Sequence, residues 1–186
     1  MDSIGLIAAL AILIGAWYAI ASLIGRRINI KSIKKCNELC LIEKYLVTGT
    51  SFFVEFKCNW AKYLGVFVQR LPWDNPLNLV ASLISLRKPM AIVKAELDAP
   101  IPWSLDMSSK GALGHAEEID GFFVVNRNTP KSLVNELVDA CKKLGITRLI
   151  LGGRPPIQLF VQSDDCARVL QLSENIIKII AKHTKK

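Results

Sequence analysis

An uninterrupted apolar stretch over residues 4–24 constrains this chain more than any other feature. It reads IGLIAALAILIGAWYAIASLI, holds 21 residues and carries no charge. As an α-helix rising about 1.5 Å per residue it would be about 32 Å long, enough to cross a hydrocarbon core of about 30 Å. Ten of its residues are Ile or Leu, which favour insertion into a bilayer. The sequence therefore predicts one transmembrane helix within residues 1–25.

Two other structures are compatible with an apolar stretch near an N-terminus, and both fit less well. A cleaved signal peptide begins with basic residues and has a shorter apolar core of roughly 7–15 residues. The segment Met1-Asp2-Ser3 holds no basic residue. A buried helix of a soluble domain is the second alternative. We favour a permanent single-pass anchor.

The charged residues that flank the apolar stretch predict its orientation. Only Asp2 precedes it, whereas five basic residues and no acidic residue follow within eleven positions: Arg26, Arg27, Lys31, Lys34 and Lys35. Because basic flanks stay on the cytoplasmic side, we expect the N-terminus outside the cell membrane and the rest of the chain in the cytoplasm. These five residues are also candidates for binding anionic lipid. Arg154, which follows Gly152 and Gly153, is a candidate for anion binding at a glycine turn.

The remainder of the chain is long enough for one domain with its own core. We divide it into a basic juxtamembrane segment, residues 26–44, and a cytoplasmic domain, residues 45–186. Because Asp2 is the one charged residue among the first 25, residues 26–186 hold all 24 basic residues and 15 of the 16 acidic ones, a net charge of +9. Much of this surplus lies in two places, the basic residues that set the orientation of the membrane helix and the solvated end of the C-terminal helix. The bilayer is thus the first expected partner, followed by a protein partner or a second copy, with nucleic acid not favoured.

Five cysteines offer few clues to chemistry: Cys36, Cys40, Cys58, Cys141 and Cys166. Their odd number and irregular spacing are not those of a disulfide framework, so free thiols in a reducing cytoplasm are the default interpretation. If a helix runs through residues 36–40, Cys36 and Cys40 share one face, and a redox-active thiol pair is the alternative. The sequence holds no complete set of metal ligands, and neither a metal nor another cofactor is predicted.

Hydrophobic periodicity predicts the elements after the anchor in the order α-β-β-α-β-loop-β-α-β-β-α. The predicted helices cover residues 33–42, 76–86, 130–144 and 164–182, and the predicted strands cover residues 50–57, 63–70, 90–97, 121–126, 146–151 and 156–161. In the second helix, Leu79, Val80, Leu83 and Ile84 are predicted to face the core. Hairpins beside separate helices predict an α+β fold with a mainly antiparallel sheet, and parallel βαβ units are the alternative.

The pattern over residues 117–180 resembles that of a known class of proteins. The run Glu-Glu-Ile-Asp-Gly-Phe-Phe-Val-Val is followed by Thr-Pro, an amphipathic helix, two strands ending in Gln-Leu-Phe-Val, and a capped helix. It is similar to the carboxy-terminal part of prokaryotic membrane-anchored domains of unknown function. In those families an Asp precedes a Phe-x-Val strand, and Asp120, Phe123 and Val125 occupy these places. The resemblance implies an α+β domain next to a membrane and carries no catalytic motif.

The function that these observations favour is not enzymatic. No nucleophile–base pair or phosphate-binding motif is recognisable, and the acidic residues over 106–120, with His115, have the pattern of a solvated loop. We therefore expect a membrane-tethered module that binds a protein partner or belongs to a membrane complex. The first alternative is an electrostatic binder of anionic lipid or RNA, and the second is a redox protein that uses Cys36 and Cys40.

Overall fold

The structure is a computed structural model that describes residues 3–111 and 115–184. Within these residues the chain forms four helices and nine strands. The helices are α1 (Ser3–Cys36), α2 (Pro76–Ile84), α3 (Lys131–Leu144) and α4 (Cys166–Thr184). The strands are β1 (Leu41–Val47), β2 (Ser51–Cys58), β3 (Ala61–Gln69), β4 (Met90–Glu96), β5 (Leu105–Ser108), β6 (Glu117–Ile119), β7 (Phe122–Asn126), β8 (Ile146–Leu151) and β9 (Ile157–Val161).

All nine strands belong to one sheet in which every neighbouring pair is antiparallel. The order across the sheet is β1-β2-β3-β4-β9-β8-β5-β7-β6. The predicted α+β fold with an antiparallel sheet is confirmed, and the alternative of parallel βαβ units is wrong. The hairpin predicted from residues 146–161 is present as β8 and β9.

The core lies between one face of this sheet and a layer of helices. A row of paired residues on that face is fully buried across seven neighbouring strands: Val54, Val66, Val93, Leu159, Leu149, Met107 and Val124. The C-terminal part of α1, together with α3 and α4, packs over this face. The apolar stripe of α3 is buried from Leu133 to Cys141, and its 3.6-residue period is the pattern that predicts a helix over residues 130–144.

Two helix ends carry capping residues of the usual kind. Asn75 precedes α2 and its side chain accepts a hydrogen bond from the backbone N–H of Asn78, at 3.1 Å. Gly145 ends α3 in the left-handed conformation, with φ of 69°. Thr129, a residue type common at N-caps, does not cap α3, which begins at Lys131. The backbone N–H of Thr129 instead donates to the side chain of Asn126. The Asn126 side chain thus holds the Thr129 backbone in a turn, and the helix starts only after this turn.

The strands that the sequence did not reveal are short or exposed. The helix expected over residues 33–42 ends at Cys36, and β1 begins at Leu41 and pairs along the edge of β2. Strands β5 and β6 fall where a loop was expected. Between β6 and β7, Asp120 and Gly121 have φ values of 49° and 82°, the left-handed pair of a tight hairpin turn. Asp2, the centre of the expected loop at residues 112–114, and the last two lysines lie outside the described residues.

Helix α2 differs most from expectation. Its predicted core face is largely exposed, and Ser82 is its one buried residue. Leu79 is half-buried, whereas Val80, Leu83 and Ile84 are exposed. The period of a helix shows that it has an apolar side, but not which surface covers that side.

Candidate functional site

Helix α1 joins the apolar stretch to the domain without a break. It is 34 residues long, and it is the one described helix long and apolar enough to cross a membrane. Residues 3–20, about 27 Å of helix, are exposed throughout. From there on, one side of the helix is buried against the domain, through Ala21, Gly25, Asn29, Ile33 and Cys36. The same helix is thus both the candidate membrane span and part of the helical layer of the domain.

The joint between α1 and the β1–β2 turn is built by two glycines and an asparagine. A Cβ atom on Gly25 would collide with the carbonyl oxygen of Gly49 and lie 2.9 Å from the Trp73 ring. One turn further along, Asn29 is fully buried, and its Nδ2 donates to the carbonyl oxygen of Thr48 at 3.0 Å. The helix and the turn therefore touch through their backbones, and an amide side chain fixes their register.

A second contact ties the apolar part of α1 to the domain. The indole Nε1 of Trp17 donates a hydrogen bond to the carbonyl oxygen of Trp73, at 3.1 Å. Trp73 lies in the segment that leads from β3 into α2. This places the start of α2 beside the last two turns of the apolar stretch.

All five basic residues predicted at the membrane surface are exposed on the same helix. By helix geometry Arg27, Lys31 and Lys34 lie about half a turn from the centre of the buried stripe. Arg26 and Lys35 lie about a quarter turn from it, at its two edges. The rise from Arg26 to Lys35 is about 14 Å along the helix axis. Arg26 and Arg27 directly follow the apolar stretch, whereas Lys34 and Lys35 lie at the end of the helix that is farthest from it.

Two of these lysines line a pocket of about 400 Å³ between α1 and the start of α4. Its lining residues are Ile28, Lys31, Ser32, Lys35, Arg70, Asp164 and Asp165. The guanidinium of Arg70 lies 3.7 Å from the carboxylate of Asp164. Because two acidic residues share the pocket with three basic ones, an anion there would meet both signs of charge.

Arg154 lies in the β8–β9 turn, far from the basic residues of α1. The strand pairing shows the separation. Val161 at the end of β9 pairs with Ala91, and Ile157 at the start of β9 pairs with Ala95. The turn that holds Gly49 is at the Ala91 end of the sheet, whereas Arg154 is beyond the Ala95 end. The structure therefore does not bring the two predicted anion-binding positions together.

Four of the five cysteines form disulfides. Cys36 at the end of α1 is bonded to Cys166 at the start of α4, with Cα atoms 6.2 Å apart. Cys40 is bonded to Cys58 at the end of β2, with Cα atoms 5.1 Å apart. Cys141 is free and buried, and burial raises the pKa of its thiol to about 12.

The predicted thiol pair of Cys36 and Cys40 is therefore not formed, and the expectation of free thiols is wrong for four of the five cysteines. Cys36 is the last residue of α1, so Cys40 lies beyond the helix and cannot share its face. The partners are 130 and 18 residues away in sequence, and the fold alone brings them together.

The acidic residues expected to form a solvated loop are separated by the sheet. Asp106 on β5 accepts two hydrogen bonds from Arg148 on β8, at 2.6 and 3.0 Å, and this bonding raises the pKa of the guanidinium. Asp120 belongs to the β6–β7 turn, and Glu117 and Glu118 lie on β6. Over residues 3–111 and 115–184, no three His, Cys, Asp or Glu residues are grouped so that they could hold a metal ion.

The face of the sheet opposite the helices carries an aromatic row that sequence reasoning missed. Phe53, Phe67, Ile92 and Phe160 are paired side by side on four neighbouring strands, and all four are half-buried. Exposed Leu46 extends the row onto β1. We call these five residues the open-face row. Each strand but β1 was predictable from its own residues, whereas the row depends on the register between strands.

Polar groups border the open-face row at its β9 end and along one flank. The guanidinium of Arg148 lies 5.8 Å from the centre of the Phe160 ring, in the geometry of a cation–π contact. Tyr63 covers Gly65 beside Phe53. Desolvation raises the pKa of the Tyr63 hydroxyl, and the charge of Glu55 adds to the effect.

Comparison of the sequence with protein-family models and with curated proteins finds no match. Three features of the molecule bear on its function. They are the helix that joins an apolar span to the domain, its exposed basic side, and the open-face row.

Proposed function

We propose that this chain is a single-pass membrane protein whose cytoplasmic α+β domain binds a protein partner, or a second copy of itself, through the open-face row. The domain acts as a tethered binding module or as a subunit of a membrane complex, and it does not catalyse a reaction. The observation that carries the proposal is the open-face row, an apolar surface that crosses five strands.

The composition of the open-face row supports a protein partner. Contiguous exposed apolar surface is uncommon in a protein that works alone, and aromatic side chains are enriched where proteins meet. Three of the five residues are phenylalanines, and Arg148 at the border supplies a side chain that is also common in interfaces. An apolar core with a polar rim is the usual layout of such a surface.

The membrane anchor is supported by the continuity of α1. A span of about 27 Å projects from the domain, and the buried stripe begins where the apolar stretch ends. The Trp17–Trp73 hydrogen bond crosses this boundary. Since the domain uses residues on both sides of the boundary, retention of the whole helix fits the structure better than its removal as a signal peptide.

Two observations bear on which side of the membrane the domain occupies, and they favour opposite sides. The basic flank, Arg26 to Lys35, favours a cytoplasmic domain. The two disulfides favour an oxidising compartment, with the cytoplasm of hyperthermophiles as the exception. Labelling of an Asp98→Cys variant with a membrane-impermeant maleimide decides between them. Reaction only after permeabilisation of cells supports the cytoplasmic side, and reaction in intact cells overturns it.

Binding of anionic lipid or RNA by charge is the second candidate function. It is favoured by one observation, the exposure of all five basic residues of α1. If it holds, binding to anionic vesicles or RNA falls steeply with salt, and joint replacement of these residues by Gln abolishes it. The thiol alternative has less support, because Cys36 and Cys40 are bonded to other cysteines.

The partner-binding proposal is tested with tagged full-length protein extracted in a mild detergent. Size exclusion and mass spectrometry should reveal a companion in fixed ratio or a dimer. A Leu46→Lys variant should lose it, since Leu46 is 73% exposed and its replacement leaves the core intact. Gln171→Lys, at an exposed site on α4, is the matched control. A monomer without a companion, or a companion that Leu46→Lys retains, would count against the proposal.

A further inference from the structure

Helix α2 is apolar and almost unsupported by the rest of the domain. Residues 75–86 contain no charged side chain. Leu77, Ile84 and Leu86 are 79%, 78% and 84% exposed, and Val80 and Leu83 are more than half exposed. Only Ser82 is buried, on the side of the helix opposite Leu77 and Ile84. In water such a helix would expose nearly all of its apolar surface.

The position of α2 indicates what covers this surface. The segment before it is attached to the apolar part of α1 by the Trp17–Trp73 hydrogen bond. The Trp73 ring also lies against Gly25, next to the first basic residues of α1. Helix α2 therefore starts at the level where the apolar span of α1 gives way to basic residues, which is the level of the lipid headgroups if α1 crosses a bilayer.

We propose that α2 is a second membrane contact, a short helix that lies in the interface of the bilayer with Leu77, Val80 and Ile84 toward the acyl chains. The proposal rests on the membrane anchoring proposed for α1. At nine residues α2 is about 14 Å long, too short to span the bilayer. Amphipathic helices of this kind insert about 5–10 Å into the boundary between headgroups and acyl chains.

Residues at the two ends of α2 fit a lipid surface better than a protein partner. Arg87 and Lys88 follow the helix and are exposed, where they can meet lipid phosphates. Trp73 precedes it, and tryptophan is enriched at membrane–water boundaries. Together with α1, the helix would hold the domain to the bilayer at two points and fix its rotation about the α1 axis.

The proposal is tested in proteoliposomes of full-length protein by depth-dependent fluorescence quenching. A cysteine introduced by Ile84→Cys, or by Leu77→Cys as a second site, is labelled with an NBD fluorophore. Ile12→Cys reports on the α1 span, and Asp98→Cys is the aqueous control. Asp98 follows β4 at the end away from Met90, about 26 Å along the strand. The lipids carry a spin-label quencher either near the headgroup or near the end of the acyl chain.

We expect loss of emission at Ile84 and Leu77 with the shallow quencher, loss at Ile12 with the deep quencher, and none at Asp98. If Ile12 is quenched while Ile84 and Leu77 behave as Asp98 does, the anchor stands and the interfacial helix is overturned. Blue-shifted emission at Ile84 that no lipid quencher reduces would mean that a protein covers α2, which also overturns it. If Ile12 escapes quenching, the anchoring itself is wrong.

Discussion

Gly25 of α1 and Gly49 of the β1–β2 turn lie in direct backbone contact. A side chain on Gly25 would meet the carbonyl of Gly49 and the ring of Trp73, and one on Gly49 would lie 2.8 Å from the hydroxyl of Ser22. Close approach of this kind needs a residue without a Cβ atom. The contact locks the end of the apolar span onto the sheet.

A Gly25→Leu variant should therefore separate α1 from the turn and destabilise the domain by about 1–3 kcal/mol or more, the usual cost of overpacking. Gly15→Leu is the matched control, because a Cβ atom at Gly15 meets nothing within 4 Å. Thermal unfolding in detergent measures both. Equal melting temperatures for the two variants would show that the helix does not pack on the turn.

The buried amide of Asn29 gives a second prediction. Asn29→Ala removes the hydrogen bond from Asn29 to the carbonyl oxygen of Thr48, so that this oxygen loses a donor. The loss should lower the free energy of unfolding by about 1–3 kcal/mol. Asn59→Ala, at an exposed site in the β2–β3 turn, should cost little. Urea titration of both proteins compares them, and a neutral Asn29→Ala would contradict the register that we describe.

Counting of thiols tests the disulfide pattern. The unreduced native protein should bind no maleimide near neutral pH, because burial raises the pKa of the Cys141 thiol to about 12. Unfolding without reduction should expose one thiol, and unfolding with reduction should expose all five. More than one thiol after unfolding alone would mean that a disulfide is missing.

The Cys36–Cys166 bond should also matter for stability. It closes a loop with a sequence separation of 130, and such cross-links add about 2–5 kcal/mol, mainly by restricting the unfolded chain. A Cys36→Ala/Cys166→Ala variant should unfold at lower denaturant than the parent. Cys141→Ala, which breaks no cross-link, is the control for the loss of a buried sulfur, and equal midpoints for the two variants would argue against the bond.

The last prediction concerns acid. Nε2 of His183 is hydrogen-bonded to Oε2 of Glu136 at 2.9 Å. This hydrogen bond, together with the charges of Lys182 and His183, lowers the pKa of Glu136 below its usual 4.5. A lowered carboxyl pKa stabilises the fold above the unfolded value, and the effect is lost as pH falls through the folded value. Glu136→Gln should thus flatten the decline in stability below about pH 4.5, measured by urea unfolding. An unchanged decline in Glu136→Gln would show that the pairing of Glu136 with His183 does not contribute to the acid response.

The parts of the fold that could be predicted are those encoded by local pattern. The apolar helix over residues 4–24, helix α3 and the β8–β9 hairpin can each be recognised from the residues of that segment alone. Strand β1 was missed because its side chains are mostly exposed and show no alternation. The Cys36–Cys166 bond and the open-face row depend on contacts between distant segments, which a single sequence does not reveal.

The uninterrupted course of α1 has a mechanical consequence. A domain joined to its membrane helix by a flexible linker can tumble, but 34 residues of continuous helix behave as a stiff rod about 51 Å long. If α1 crosses a bilayer as proposed, tilting, rotation or axial sliding of its apolar half would move the sheet with it. Changes in bilayer thickness or lateral pressure would thereby reach the distant edge of the domain as displacement.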